Sequence, residues 1–103
     1  MIGMSQEIFS IAIFEALPGM ERQALETVRA LMNALEKGGY SRDTLFRDAG
    51  PGGEFVLLRY WKSDEARRAA QEDPETLRCW AKLSQEIRTV RIYETLEDAF
   101  GRR

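Results

Sequence analysis

The 103-residue chain has no histidine and one cysteine, Cys79. Without histidine it lacks the usual general base near neutral pH and the commonest transition-metal ligand, so no metal site is expected. A lone cysteine cannot close an internal disulfide; it fits a reducing compartment and makes the cytoplasm the expected location. No apolar run approaches the roughly 18–20 residues of a membrane span, and the start MIGMSQEIF places no basic stretch before an apolar one, so neither insertion nor export is expected. Met1 and Met4 both remain open as the native start. An excess of one charge is missing too: 15 Lys and Arg stand against 17 Asp and Glu, a net charge of -2. That balance gives no strong field for a nucleic acid backbone or an anionic membrane, and neither is expected as a partner. Repeats, linkers and low-complexity tracts are also absent.

What is present suits a folded single domain over residues 1–103, with 44% hydrophobic and 31% charged residues. A chain of this size hides only about 60–70% of its unfolded surface, so a second subunit would add useful burial. From Glu7 to Glu15, EIFSIAIFE places Ile8, Ala12 and Phe14 on one side of a strand and Phe9, Ile11 and Ile13 on the other. After Pro18 and Gly19, Ala24, Leu25, Val28, Leu31, Met32 and Leu35 recur at helical spacing up to Gly38 and Gly39. YSRDTLFRD and EFVLLRYW predict two strands joined by the turn cluster AGPGGE. Ser63 is a predicted N-cap for a short helix over SDEARRAAQED, with Ala66, Ala69 and Ala70 on one face. Asp73 before Pro74 restarts the chain as PETLRCWAKLSQ, with Leu77, Trp80, Ala81 and Ser84 on one stripe. IRTVRIYETL predicts the last strand, after which EDAFGRR either frays or docks.

The order is β-α-β-β-α-β with a broken second helix, an α+β ferredoxin-like split arrangement whose antiparallel sheet carries helices on one face. The other face would meet water, yet the first and third strands are apolar on both sides. A second copy of the chain covering that face removes the conflict, so a homodimer is expected. The same order occurs in RNA-recognition domains. However, GGEFVLLRYW lacks the Lys/Arg-Gly start and the aromatic pair on one face that stack bases.

Trp61 and Trp80 either line a pocket for a flat aromatic ligand or belong to the core. Ala66, Ala69 and Ala70 either draw helix and sheet together or leave a cavity. Arg59, Tyr60, Arg91 and Tyr93 end or alternate along strands, where a guanidinium or hydroxyl beside an apolar pocket can hold a phenolate or oxyanion. Cys79 lies inside a predicted helix with no activating partner except Arg78 and is expected to be inert. The carboxylates Glu7, Glu15, Asp43, Asp48 and Glu54 show no paired spacing suited to acid–base or metal chemistry. The charges of SDEARRAAQEDPE look like a solvated helix face.

By its order of elements over nearly the whole chain, and most sharply in YWKSDEARRAAQEDPETLRCW, the sequence resembles the antibiotic biosynthesis monooxygenase family of dimeric α+β barrel proteins. The resemblance implies a homodimer with facing sheets and a pocket between sheet and helices in each subunit. It also implies a small hydrophobic or aromatic ligand. The family includes cofactor-free oxygenases of polycyclic phenols and haem-degrading enzymes. Haem degraders carry a tryptophan and a histidine where Ala70 and Trp80 stand and an asparagine in the first strand, which this chain lacks, so haem degradation is disfavoured. Many other members carry a histidine at the positions of Ala70 and Glu75. Cofactor-free oxygenation of an electron-rich phenol needs neither, and no cofactor is expected. The resemblance then implies Trp61 and Arg91 as catalytic residues, with Arg59, Tyr60, Trp80, Tyr93 and Ala70 at the substrate. A non-catalytic dimeric module that binds a small ligand or a partner protein is the alternative.

Overall fold

The computed structural model describes residues 8–100. Met1, Met4, Glu7 and the end of the tail lie outside them. Strand β1 (Ile8–Ala16) leads to helix α1 (Glu21–Lys37), then to strands β2 (Ser41–Arg47) and β3 (Phe55–Trp61). Helices α2 (Asp64–Ala70) and α3 (Pro74–Leu83) and strand β4 (Ile87–Leu96) complete the chain. The strands form one antiparallel sheet in the order β2-β3-β1-β4, the expected split arrangement with its second helix in two pieces.

The alternation within β1 and β3 sets the layers. Phe14, Phe55, Leu57 and Trp61 point to the helix side and are buried with Val28, Leu31 and Leu35 of α1, Ala70 of α2 and Leu83 of α3. Val28, Leu31 and Leu35 recur at three- and four-residue spacing, one stripe of an amphipathic helix. Gly39, at φ +74, ends α1: the Gly39 N–H donates to the Glu36 carbonyl at 2.9 Å and the Tyr40 N–H to the Leu35 carbonyl at 2.9 Å. This is the left-handed closing turn that glycine adopts without a Cβ clash.

The predicted Ser63 cap forms, and Asp73, expected only to restart the chain before Pro74, caps the next helix as well. The Ser63 hydroxyl accepts from the Ala66 N–H at 3.0 Å. Asp73 Oδ1 accepts from the N–H groups of Glu75 at 2.9 Å and Thr76 at 3.2 Å, with Pro74 at the first helical position. The Tyr40 hydroxyl donates to Asp73 Oδ2 at 2.8 Å and ties this break to the start of β2.

Two details of the helix faces differ from expectation. Ala70 is fully buried, Ala66 is half-buried and Ala69 is exposed, so the alanine stripe meets the core at one residue. In α3 the buried side is Thr76, Cys79 and Leu83, with Trp80 at its margin, while Leu77, Ala81 and Ser84 are exposed. The predicted stripe is one residue out of phase, because Thr76 and Cys79 carry little hydrophobic signal. Phe100 is 87% exposed, so the described part of the tail does not dock.

Candidate functional site

A cavity of about 340 Å³ lies on the helix side of the sheet. Ala12, Leu57 and Trp61 of the sheet, Leu31 of α1 and Trp80 and Leu83 of α3 give it apolar walls, while Ile87 and Ile92 close it along β4. Its polar groups are Ser10, Arg59, Arg67, Gln71, Thr89 and Glu94.

One wall is held by polar contacts across three strands. Asp43 of β2 pairs in register with Arg59 of β3, which pairs with Ser10 of β1, so all three side chains stand on the helix side of one rung. Asp43 Oδ2 accepts from Arg59 Nε at 2.8 Å and has Arg59 Nη2 at 2.7 Å, with side-chain exposures of 1% for Asp43 and 11% for Arg59. The Ser41 hydroxyl donates to Asp43 Oδ1 at 2.8 Å. The held guanidinium lies 5.3 Å from the Trp61 ring centroid, a cation–π contact. The indole N–H of Trp61 donates to Ser10 Oγ at 3.2 Å, and that hydroxyl donates to the Glu94 carbonyl at 2.6 Å. Every step fixes the orientation of Trp61.

The structure brings together Arg59, Trp61 and Trp80 at this cavity. Trp61 is 4% exposed, so it is core and cavity wall at once, and the two sequence readings of it were not exclusive. Ala70 is buried in the core cluster with Trp61 rather than lining the cavity. Tyr60, Arg91 and Tyr93 stand on the opposite face of the sheet. Tyr60 stacks on Phe9 with ring centroids 4.5 Å apart, and Arg91 and Tyr93 pair with Ile13 and Ile11, which alternate away from buried Phe14. A register shift in the β1–β4 pairing separates Thr89 opposite Phe14 from Arg91 opposite Ile13. Thr89 and Ile92 consequently turn to the cavity.

Ser10, Asp43, Gln71, Thr89 and Glu94 reach or support the cavity without having been selected from the sequence. Asp43 was recoverable only with the β2–β3 register in hand. Arg67 corrects the expectation of a solvated α2 face: its side chain is 27% exposed and lines the cavity, whereas that of Arg68 is 75% exposed. Burial and the nearby Glu75 carboxylate push the Cys79 thiol up against the weaker pull of Arg78, which leaves it protonated and unreactive at neutral pH. Among the described residues no cluster of Asp, Glu or Cys could hold a metal ion, and no helix is long and apolar enough to cross a membrane. A larger hollow of about 450 Å³ lies along the outer side of α1 between Glu21, Arg22, Leu25, Glu26 and Arg29. It is shallow, with Arg22 paired to Glu26 at 3.8 Å and Glu21 to Arg47 at 2.8 Å, as on an ordinary wet helix face.

No protein-family model matches the chain, and no curated protein matches it. Solved structures do. PA3566 of Pseudomonas aeruginosa is 22% identical with a TM-score of 0.78, over 94% of this chain and 99% of its own. SnoaB, a cofactor-independent oxygenase of Streptomyces nogalater, is 15% identical with a TM-score of 0.75, over 92% of this chain and 98% of its own. A candidate antibiotic biosynthesis monooxygenase of Chloroflexus aurantiacus is 14% identical with a TM-score of 0.75, over 91% of this chain and 95% of its own. The chain has the fold of the antibiotic biosynthesis monooxygenases.

Proposed function

We propose that the protein is a cofactor-independent monooxygenase of a flat phenolic, quinol or polyketide-type aromatic substrate, bound between sheet and helices. The observation that carries this reading is the guanidinium of Arg59, fixed by Asp43 over the Trp61 ring at the wall of an apolar cavity. An electron-rich phenol or anthrone loses a proton, and its anion reduces molecular oxygen. One oxygen atom bonds to the ring carbon, and the other leaves as water with two hydrogens, both from the oxidised CH2 of an anthrone, or one from the ring C–H and one from the hydroxyl of a phenol. The protein's part is to exclude water, hold the ring against Trp61 and Trp80, and keep a cation where negative charge develops. Glu94, the one carboxylate lining the cavity among the described residues, is the acceptor available for the proton.

The functional unit in this reading is a homodimer in the cytoplasm. Phe9, Ile11 and Ile13 of β1 and Val56, Leu58 and Tyr60 of β3 form an apolar sheet face that no helix covers and that neighbouring side chains only half bury. A second copy presenting the same face would remove it from water.

Oxygen uptake with a panel of anthrones, naphthols and quinols tests the activity. Wild-type protein should consume oxygen with some of them; Arg59→Gln should lose about a hundredfold, the scale of one preorganised electrostatic contact, and Trp61→Phe should lower the rate as well. No uptake above those variants ends the proposal. The absence of histidine from the chain favours, as the second reading, a dimeric module that binds the same ligands without turnover. Stabilisation by a phenol that grows with ligand excess, with no oxygen consumed, would select it.

A further inference from the structure

Strands β1 and β4 lose register at Ser10. Phe9 pairs with Leu96 and Ile11 with Tyr93, so Ser10 alone stands opposite both Glu94 and Thr95. This is a β-bulge: the ladder is disrupted there, and the strand with the extra residue can re-aim its side chains. Tyr93 and Leu96, three residues apart, both stand beside residues of the uncovered sheet face, which strict alternation forbids. The pairing beyond Glu94 is therefore out of phase with the pairing before it. A slip of one residue at this point would swing the Glu94 carboxylate out of the cavity it lines.

The Ser10 side chain ties the two strands together at the bulge. Its hydroxyl donates to the Glu94 carbonyl at 2.6 Å and accepts the indole N–H of Trp61 at 3.2 Å. A hydroxyl has one hydrogen, and Ser10 commits it to β4. Although Ser10 borders the cavity, it therefore has no donor left for a phenolate or an oxygen anion. What it does is join two other groups: the ring that forms the cavity wall and the main chain that carries the proton acceptor. Asp43 and Arg59 constrain Trp61 from the side of β2, at the opposite edge of the sheet from β4. Among the described residues, Ser10 is the hydrogen-bonded link from Trp61 to β4.

We infer that Ser10 is a positioning residue, which through this bulge holds the Trp61 ring and the Glu94 carboxylate in a fixed relation across the cavity. The inference rests on the proposed oxygenase use of the cavity and adds the group that keeps its ring platform and its proton acceptor in step.

Steady-state oxygen uptake by Ser10→Ala and Ser10→Thr, with whichever anthrone, naphthol or quinol the wild type oxidises fastest, tests this. Ser10→Ala should lower kcat at least about tenfold, within the roughly hundredfold that a misplacement of about 1 Å can cost, and leave KM within about threefold. Ser10→Thr keeps the hydroxyl on a residue suited to a strand and should recover most of kcat. The indole N–H signal that Trp61→Phe removes from the NMR spectrum should exchange with solvent at least about tenfold faster in Ser10→Ala, and near the wild-type rate in Ser10→Thr. An unchanged kcat or indole exchange rate in Ser10→Ala, a rise in KM at constant kcat, or a loss that Ser10→Thr does not reverse overturns the inference while leaving the oxygenase reading intact. Absence of oxygen uptake by the wild type overturns that reading and the inference together.

Discussion

Replacing Asp43 with alanine should be among the most destabilising single changes outside the apolar core. The Asp43 side chain is 1% exposed and that of Arg59 11%, and one carboxylate oxygen faces both Nε and Nη2 at 2.8 and 2.7 Å. Removing the carboxylate leaves a guanidinium held in place by the strand but deprived of its counter-charge. The cost of stranding such a charge is about 3–5 kcal/mol. Because Arg59 borders the cavity, solvent can reach it more easily than a sealed cation, so the lower end, about 3 kcal/mol, is expected. At about 4–8 °C per kcal/mol for a domain near this size, the midpoint of thermal unfolding should fall by about 12–24 °C. Urea unfolding followed by circular dichroism measures the same loss. Asp43→Leu combined with Arg59→Met should recover most of it, since an apolar pair neither strands a charge nor desolvates one. A loss below about 1 kcal/mol in Asp43→Ala, the worth of an exposed ion pair, would refute the view that this pair is buried and fixes the cavity wall.

A charge placed on the uncovered sheet face, Ile13→Asp or Leu58→Asp, should convert a dimer sedimenting at micromolar concentration into a folded monomer; a wild-type monomer would remove the reason for the apolar face. Glu86 gives the chain an acid-sensitive contact. Burial pushes its carboxyl up, but hydrogen bonds from Lys82, at 2.6 Å, and from Thr27 hold it on balance below its ordinary value. Asp73 is lowered as well, first by the Tyr40 hydroxyl and then by the Thr76 N–H. With both folded values below the unfolded ones, the unfolded chain binds more protons in that range. The stabilisation is therefore complete above about pH 4.5 and is lost as pH falls through the folded values. Glu86→Gln should flatten the fall in unfolding free energy below about pH 5, and an unchanged slope would contradict the assignment.

The fold was legible because period and punctuation agreed. The apolar spacing of α1 ends at Gly38 and Gly39, Ser63 caps the helix it was expected to cap, Asp73–Pro74 restarts the chain as expected, and the turn cluster between β2 and β3 leaves only a hairpin. The cavity was half legible. Trp61, two residues from Arg59 on the same strand face, could be read from strand alternation, but Asp43 enters through a cross-strand register that no local pattern specifies. The β1–β4 register shift set which β4 side chains turn to the cavity. Arg67 was hidden differently: the two consecutive arginines of its short helix look alike in sequence, and only the placement of α2 in the fold separates the half-buried Arg67 from the exposed Arg68.

Trp61 and Trp80 are the only two tryptophans of the chain, and both line the cavity. Titration of their fluorescence with 6-hydroxy-2-naphthoate therefore tests most directly whether this cavity takes a flat aromatic guest. Quenching that saturates at one ligand per chain is the result predicted. Quenching that rises linearly without saturation, no stronger than that of free tryptophan under the same conditions, would contradict it.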